Sequence, residues 1–227
     1  MNEKELVARH AANLVQDGML VGLGTGSTAN YFIEELARRY AEEGLKVFVA
    51  SSSTVSAIKA EALGLPLIAV EHLTKLDLYV DGADEVTPDL TLLKGRGYDL
   101  VREKLMAKAS DRFLVLVDPT KLVDRIGARF PIPVEVMPFA WKLVKQGLES
   151  IGGSGDLRQT ANKDGLVMTS YGSLVLDMTF DPAFDAAALN AALNDMPGVV
   201  EHGIFRGLAS AVFVGVDGKV QEHWAGE

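Results

Sequence analysis

Over the first half of the chain, short and nearly unbroken apolar runs alternate with amphipathic stretches. The runs occupy 19–24 (MLVGLG), 46–51 (KVFVAS), 65–70 (LPLIAV), 76–80 (LDLYV) and 112–118 (RFLVLVD). Between them, 3–17, 27–44, 54–64 and 99–110 carry apolar residues at helical spacing. Ser27 is placed to cap the second helix, and Gly18 and Gly44 suit positions just past helix ends. Strands that are apolar throughout, rather than at alternate positions, are covered on both faces. Alternated with helices, they predict an α/β fold with a doubly wound, mostly parallel sheet. In such sheets ligands bind beyond the carboxyl ends of the strands. The loops at 24–28, 51–54, 81–85 and 94–97 all follow strand ends, or lie in the loop after one, and are expected to share that rim.

The pattern changes near residue 130. Residues 131–138 (PIPVEVMP) are extended and punctuated by proline, 139–153 read as a helix, and 158–180 as two antiparallel strands around polar turns. A capped helix over 181–198 ends at Pro197 and Gly198, and strands return from 199 to 224. The predicted organisation is one domain from 1–129 plus 201–227, whose last strands rejoin the first sheet. A small α+β domain spans 130–200.

Composition narrows the function classes. The 227 residues are 48% hydrophobic and carry a net charge of −9 without a basic block, which argues against nucleic acid as a partner. The longest apolar run is too short to span a membrane, the first ten residues carry no apolar signal core, and a cytoplasmic protein is expected. Cysteine is absent, so disulfides, thiolate catalysis and cysteine-ligated metals are excluded. His10, His72, His202 and His223 have no metal-motif spacing.

Candidate chemistry concentrates behind the apolar runs. Gly22–Thr28 reads GLGTGST between a strand and a helix, where glycines permit close approach to an anion and the helix end offers free N–H groups. A dinucleotide site would need a third glycine and an acid at the end of the next strand. Ser51, Ser52 and Ser53 stand there instead, and a phosphate or hydroxyl cradle fits better. Asp81 and Asp84 flank Gly82 and Ala83, a pairing suited to proton exchange with sugar hydroxyls, though an Asx-turn ended by solvated acids has the same pattern. Lys94, in KGRG with Gly95, Arg96 and Gly97, offers a cation for a developing oxyanion, and Glu103 follows on a helix as a candidate base.

These segments together resemble the ribose-5-phosphate isomerase family of the A type. The carrying residues are Gly24 to Thr28, Asp81 to Glu85, Lys94-Gly95, Arg102 to Lys104, Lys121, Pro131 to Glu135, Arg158-Gln159 and NDMPGVV over 194–200. The resemblance implies a Rossmann-like domain with a smaller ferredoxin-like one, assembled as a homodimer or homotetramer. It also implies interconversion of ribose 5-phosphate and ribulose 5-phosphate in the non-oxidative pentose phosphate pathway, without metal or organic cofactor. Glu103 would be the base of a cis-enediol mechanism, with Asp81, Asp84 and Lys94 assisting. Thr25, Gly26, Ser27, Thr28, Asp81, Gly82, Ala83, Asp84, Lys94 to Gly97 and Lys121 would bind the phosphosugar. Two departures stand out. The family's loop is K-G-G-G followed by small residues, whereas this chain has Arg96, Tyr98 and Asp99, and the turn within 168–177 (MTSYGSLVLD) is also unlike the family's. They motivate alternatives: an isomerase or deaminase of another sugar phosphate, or a non-catalytic sugar-phosphate sensor.

Overall fold

The apolar runs become the strands of a parallel sheet. The computed structural model describes residues 2–226. Its elements in chain order are α1 (Glu3–Ala12), β1 (Leu20–Leu23), α2 (Ser27–Glu42), β2 (Phe48–Ser51), α3 (Thr54–Ala62), β3 (Leu78–Asp81), β4 (Glu85–Val86), β5 (Leu92–Leu93), α4 (Leu100–Ala109) and β6 (Phe113–Val117). There follow β7 (Ile132–Val136), α5 (Trp141–Ser150), β8 (Ser154–Leu157), β9 (Leu174–Thr179), α6 (Ala186–Asn194), β10 (Val199–His202), β11 (Ile204–Phe205), β12 (Ala211–Val216) and β13 (Lys219–Trp224). No described helix is long and apolar enough to cross a membrane.

The chain divides into two units. The first comprises Met1–Ala83, Arg102–Leu122 and Leu208–Glu227, of which Met1 and Glu227 lie outside the described residues. Its sheet has the order β13-β12-β6-β3-β1-β2, parallel except for β13. From β1 the chain moves to one side for β2 and to the other for β3, so the strand order reverses at β1 and opens a crevice beyond the carboxyl ends of β1 and β3. Val21, Leu23, Leu78, Val80, Leu114 and Phe213 meet Phe32, Ile33 and Leu36 of α2 in the core, with the alanines of α1 packed alongside.

Three local expectations are revised in this unit. α1 ends at Ala12, because the chain tightens into turns at Leu14 and Val15 while the Arg39 guanidinium takes the carbonyls of Ala12 and Val15. The run at 65–70 forms a single bridge, Leu67 to Val49, and not a strand, since Pro66 has no N–H to give and a 3-10 turn follows at Val70–His72. Ser27 is the first residue of α2 and not its cap. Gly26, at φ 102°, holds the cap position, and no side-chain oxygen occupies it.

The second unit comprises Asp84–Val101 and Val123–Gly207. Its order β10-β7-β9-β8, antiparallel throughout, with α5 after β7 and α6 after β9, is the ferredoxin-like arrangement. The first strand of the expected 158–180 pair lies earlier, at β8. A Cβ at Gly155 would fall 2.0 Å from the Asp177 carbonyl, so close backbone approach selects this strand over β-propensity. Residues 158–173 form an excursion whose strand-like pairing is limited to the bridges Gln159–Leu166 and Met168–Leu174. Segment 84–101 groups with this unit because β4 and β5 pair with β11 in a separate three-stranded sheet. Strands of two residues leave no period to read.

Two buried carboxylates organise the second unit. Glu85 accepts the backbone N–H groups of Gly127, Arg129 and Phe130 at 2.6, 2.6 and 3.0 Å, so its charge is dispersed over main-chain donors. Glu135 accepts from the Thr169 hydroxyl at 2.8 Å, while its other oxygen is buried without a partner. Burial, opposed by hydroxyl donation and helped by the charges of Glu201 and Asp99, holds the Glu135 carboxyl above the ordinary glutamate range. The folded chain therefore binds this proton more tightly than the unfolded chain. Its contribution to stability falls as pH rises from the ordinary glutamate value through the folded one. Glu85→Ala is expected to cost roughly 3–5 kcal/mol in urea unfolding, because three donors lose a buried charged acceptor; a loss under about 1 kcal/mol would contradict this. Glu135→Gln is expected to flatten the decline in stability between mildly acid and neutral pH, read as Tm against pH, and an unchanged slope would contradict it.

Candidate active site

The crevice in the first unit is lined by loops whose close packing specifies their residues. Gly24 leaves β1 with its N–H on the Val80 carbonyl, and a Cβ there would lie 2.2 Å from the Asp81 carboxyl carbon. Only glycine lets the loop after β1 meet the end of β3. Asp81 is 1% exposed, and its Oδ1 accepts the Thr25 N–H at 3.0 Å and the Gly82 N–H at 2.7 Å. Its Oδ2 accepts the Tyr79 hydroxyl at 2.6 Å. The serines after β2 brace this loop. Thr25 donates to Ser53 Oγ at 2.6 Å, Ser56 donates to the Gly24 carbonyl at 2.7 Å, and Ser53 caps α3.

Glu103 lies in the first turn of α4 and is 7% exposed. Burial pushes the Tyr79 hydroxyl well up, the negative charges of Asp81 and Glu103 push it further, and donation by Ser52 acts against them. Tyr79 therefore stays protonated as a donor, and both carboxylates act on one hydroxyl. Its ring stacks on Phe113 with centroids 4.9 Å apart. Reading the sequence as an apolar run misses Tyr79. The available signal is that residues 79 and 81 share one face of a strand.

A second group lies at the start of α2. The Lys4 ammonium donates to Ser27 Oγ at 2.9 Å beside a cleft of about 500 Å³ that Tyr31, Asp118 and Thr120 also line. Gly26 and Ser27 are exposed, and Thr25 and Thr28 half-buried. Lys121 sits in the 3-10 turn Pro119–Lys121. Lys4 is missed by sequence reasoning because a lysine in an N-terminal amphipathic helix reads as a solvated charge.

Asp84 and the Lys94–Gly97 loop belong to the second unit. Lys94 is 5% exposed, its N–H on the Gly203 carbonyl and its ammonium 5.7 Å above the Phe205 ring. Gly95 turns at φ 93° against Leu100. Arg96 stacks on Phe130 at 4.0 Å and stands 3.9 Å from Asp84 Oδ1. Among the described residues, no group of three or more His, Cys, Asp or Glu could hold a metal ion.

A family model described as ribose 5-phosphate isomerase A (phosphoriboisomerase A) matches residues 47–219. The chain belongs to the ribose 5-phosphate isomerase A family. Ribose-5-phosphate isomerase A of Thermosynechococcus vestitus is 44% identical over 96% of this chain and 94% of its own length. That of Methanothermobacter thermautotrophicus is 48% identical over 95% and 94%. Among solved structures, ribose 5-phosphate isomerase A from Methanocaldococcus jannaschii superposes with a TM-score of 0.92 at 40% identity, covering 98% of each chain. A D-ribose-5-phosphate isomerase in complex with phospho-erythronic acid gives a TM-score of 0.93 at 36% identity, covering 99% of this chain and 100% of that one. The α/β fold expected of the family is the one observed.

Of the five tyrosines, Tyr79 is expected to stay un-ionised until the protein unfolds in alkali. Because its folded value lies above the unfolded one near 10, stability falls as pH rises past about 10. Ultraviolet titration of wild type against Tyr79→Phe checks this. A tyrosinate signal lost in the variant while the fold is intact would contradict it.

Proposed function

We propose that this chain interconverts D-ribose 5-phosphate and D-ribulose 5-phosphate with Glu103 as general base, acting without metal or organic cofactor. The observation that supports this best is the pair of buried carboxylates, Asp81 and Glu103, around one un-ionised tyrosine at the strand-order reversal of the sheet. The site offers oxygen acids and bases and hydroxyl donors, which proton transfer next to a carbonyl requires.

On this reading the start of α2, where Gly26 and Ser27 are exposed, receives the phosphate with Lys4, Thr28 and Lys121, and the remote anion fixes the position of the reacting carbons. Gly26, Gly82 and Ala83 let backbone approach the sugar. Asp81 and Asp84 open the furanose by removing the O1 proton and returning one to the ring oxygen. Glu103 then takes the proton from C2, and the C–H electrons form the C1–C2 double bond while charge develops on O1. Lys94 stabilises that oxyanion, with Gly95, Arg96 and Gly97 shaping its loop. The proton moves from O2 to O1 through the aspartates. Collapse to the ketone at C2 returns the proton on Glu103 to C1, so atoms and charge balance. The reading extends to a cytoplasmic homodimer or homotetramer, resting on the family resemblance.

Glu103→Gln is expected to lower kcat on ribose 5-phosphate about 10²-fold or more in excess chelator, with wild type unaffected by the chelator. Near-normal turnover in the variant would reject the base. A panel of other sugar phosphates is expected to give lower kcat/KM, and a better substrate would displace ribose 5-phosphate.

A further inference from the structure

We propose that Arg158, held by Asp177, is the positioning residue that sets the backbone of the Lys94 loop. The inference rests on the reading of that loop as part of the catalytic apparatus. Arg158 begins the excursion after β8 and its side chain is only 14% exposed. One edge of its guanidinium grips Asp177 of β9 through two bonds, Nε to Oδ2 at 2.8 Å and Nη2 to Oδ1 at 2.6 Å. The remaining nitrogen, Nη1, donates to the carbonyls of Gly95, Arg96 and Gly97 at 3.1, 3.3 and 3.1 Å.

A planar guanidinium can serve both partners because its donors point outward in a fixed fork. With one edge fixed on a sheet carboxylate, the position of Nη1 is determined, and three successive carbonyls are drawn to one point. The left-handed turn at Gly95 allows the backbone to aim them there. Lys94 directly precedes those carbonyls, so the course of the loop sets where its ammonium stands. A lysine at 158 could keep the charge but could not hold Asp177 and three carbonyls at once.

The same excursion secures the next two residues. Ser170 donates its N–H to the Tyr98 carbonyl at 3.2 Å and its hydroxyl to Asp99 at 2.6 Å. Thr169 beside it is tied to the buried Glu135 at 2.8 Å. The two stretches in which this chain departs from the family pattern, 96–99 and 168–177, thus bond to each other. Residues 95–97 are fastened to Arg158, itself anchored on β9, and residues 98–99 to the turn before β9, so the loop is preorganised despite its two glycines.

The test measures kcat, KM and Tm on the full chain for Arg158→Ala, Arg158→Lys and Lys94→Ala with ribose 5-phosphate. Arg158→Ala is expected to lose roughly 10–100-fold in kcat with a much smaller change in KM, as a misplaced catalytic group would. Part of the loss should return on adding guanidinium below denaturing concentration, and none with sodium chloride at equal ionic strength. Arg158→Lys should show a similar kcat loss with Tm close to wild type, and it decides the matter if the alanine variant does not fold. The inference is overturned by a folded Arg158→Lys or Arg158→Ala with kcat within twofold of wild type, or by activity that falls only with Tm and is not rescued. Collapse of Lys94→Ala beside an unaffected Arg158 variant overturns this inference alone. Near-normal Lys94→Ala removes the reading of the loop beneath it.

Discussion

The candidate site depends on how a buried negative charge is held at the end of β3. Asp81 sits at the carboxyl edge of a parallel sheet, and the donors seen on its carboxylate are two backbone N–H groups and a tyrosine hydroxyl. Hydrogen bonds to a charged acceptor contribute roughly 1.5–3 kcal/mol each, enough to offset much of the desolvation of one carboxylate. The geometry requires Gly24, because any side chain would occupy the carboxylate's own volume. The loop after β1 is thereby tied to the end of β3 where the strand order reverses, and the open first turn of α2 follows within a few residues.

The second unit meets the same difficulty in the same way. Glu85 is surrounded by main-chain N–H groups from 127–130, and those bonds hold Phe130, on which Arg96 stacks. Glu135 is the costlier case, with one oxygen unpartnered and its proton affinity raised by burial. Under the proposed function, an acidic chain with a net charge of −9 binds an anionic sugar through local groups and not through its overall charge. On the proposed reading, helix-end amides and lysines face the sugar phosphate, while the carboxylates are held by backbone N–H groups.

Much of the fold was legible because parallel strands covered on both faces leave unbroken apolar runs, as at 19–24 and 112–118. The small unit was legible as α+β, but β8 was displaced, since a Ser-Gly-Asp-Leu strand is chosen by close approach at Gly155 and not by side-chain preference. β4, β5 and β11 are too short to carry a period, so the grouping of 84–101 could not be read. At the candidate site, Asp81, Glu103 and the glycine loops stood out as polar or flexible residues behind apolar runs. Tyr79 and Lys4 did not: one looks like core and the other like a solvated helix charge. Arg158 stands out in the sequence only as a point of resemblance, because the carbonyls it contacts lie more than sixty residues away along the chain.

The most direct test is a crystal structure of this protein with phospho-erythronic acid bound. The account predicts phosphate oxygens within hydrogen-bond reach of Ser27 and Lys4, and C2 of the ligand about 3–3.5 Å from the Glu103 carboxyl. Binding with the phosphate elsewhere, or with the Glu103 carboxyl shielded from the ligand by packed aliphatic side chains, would contradict it.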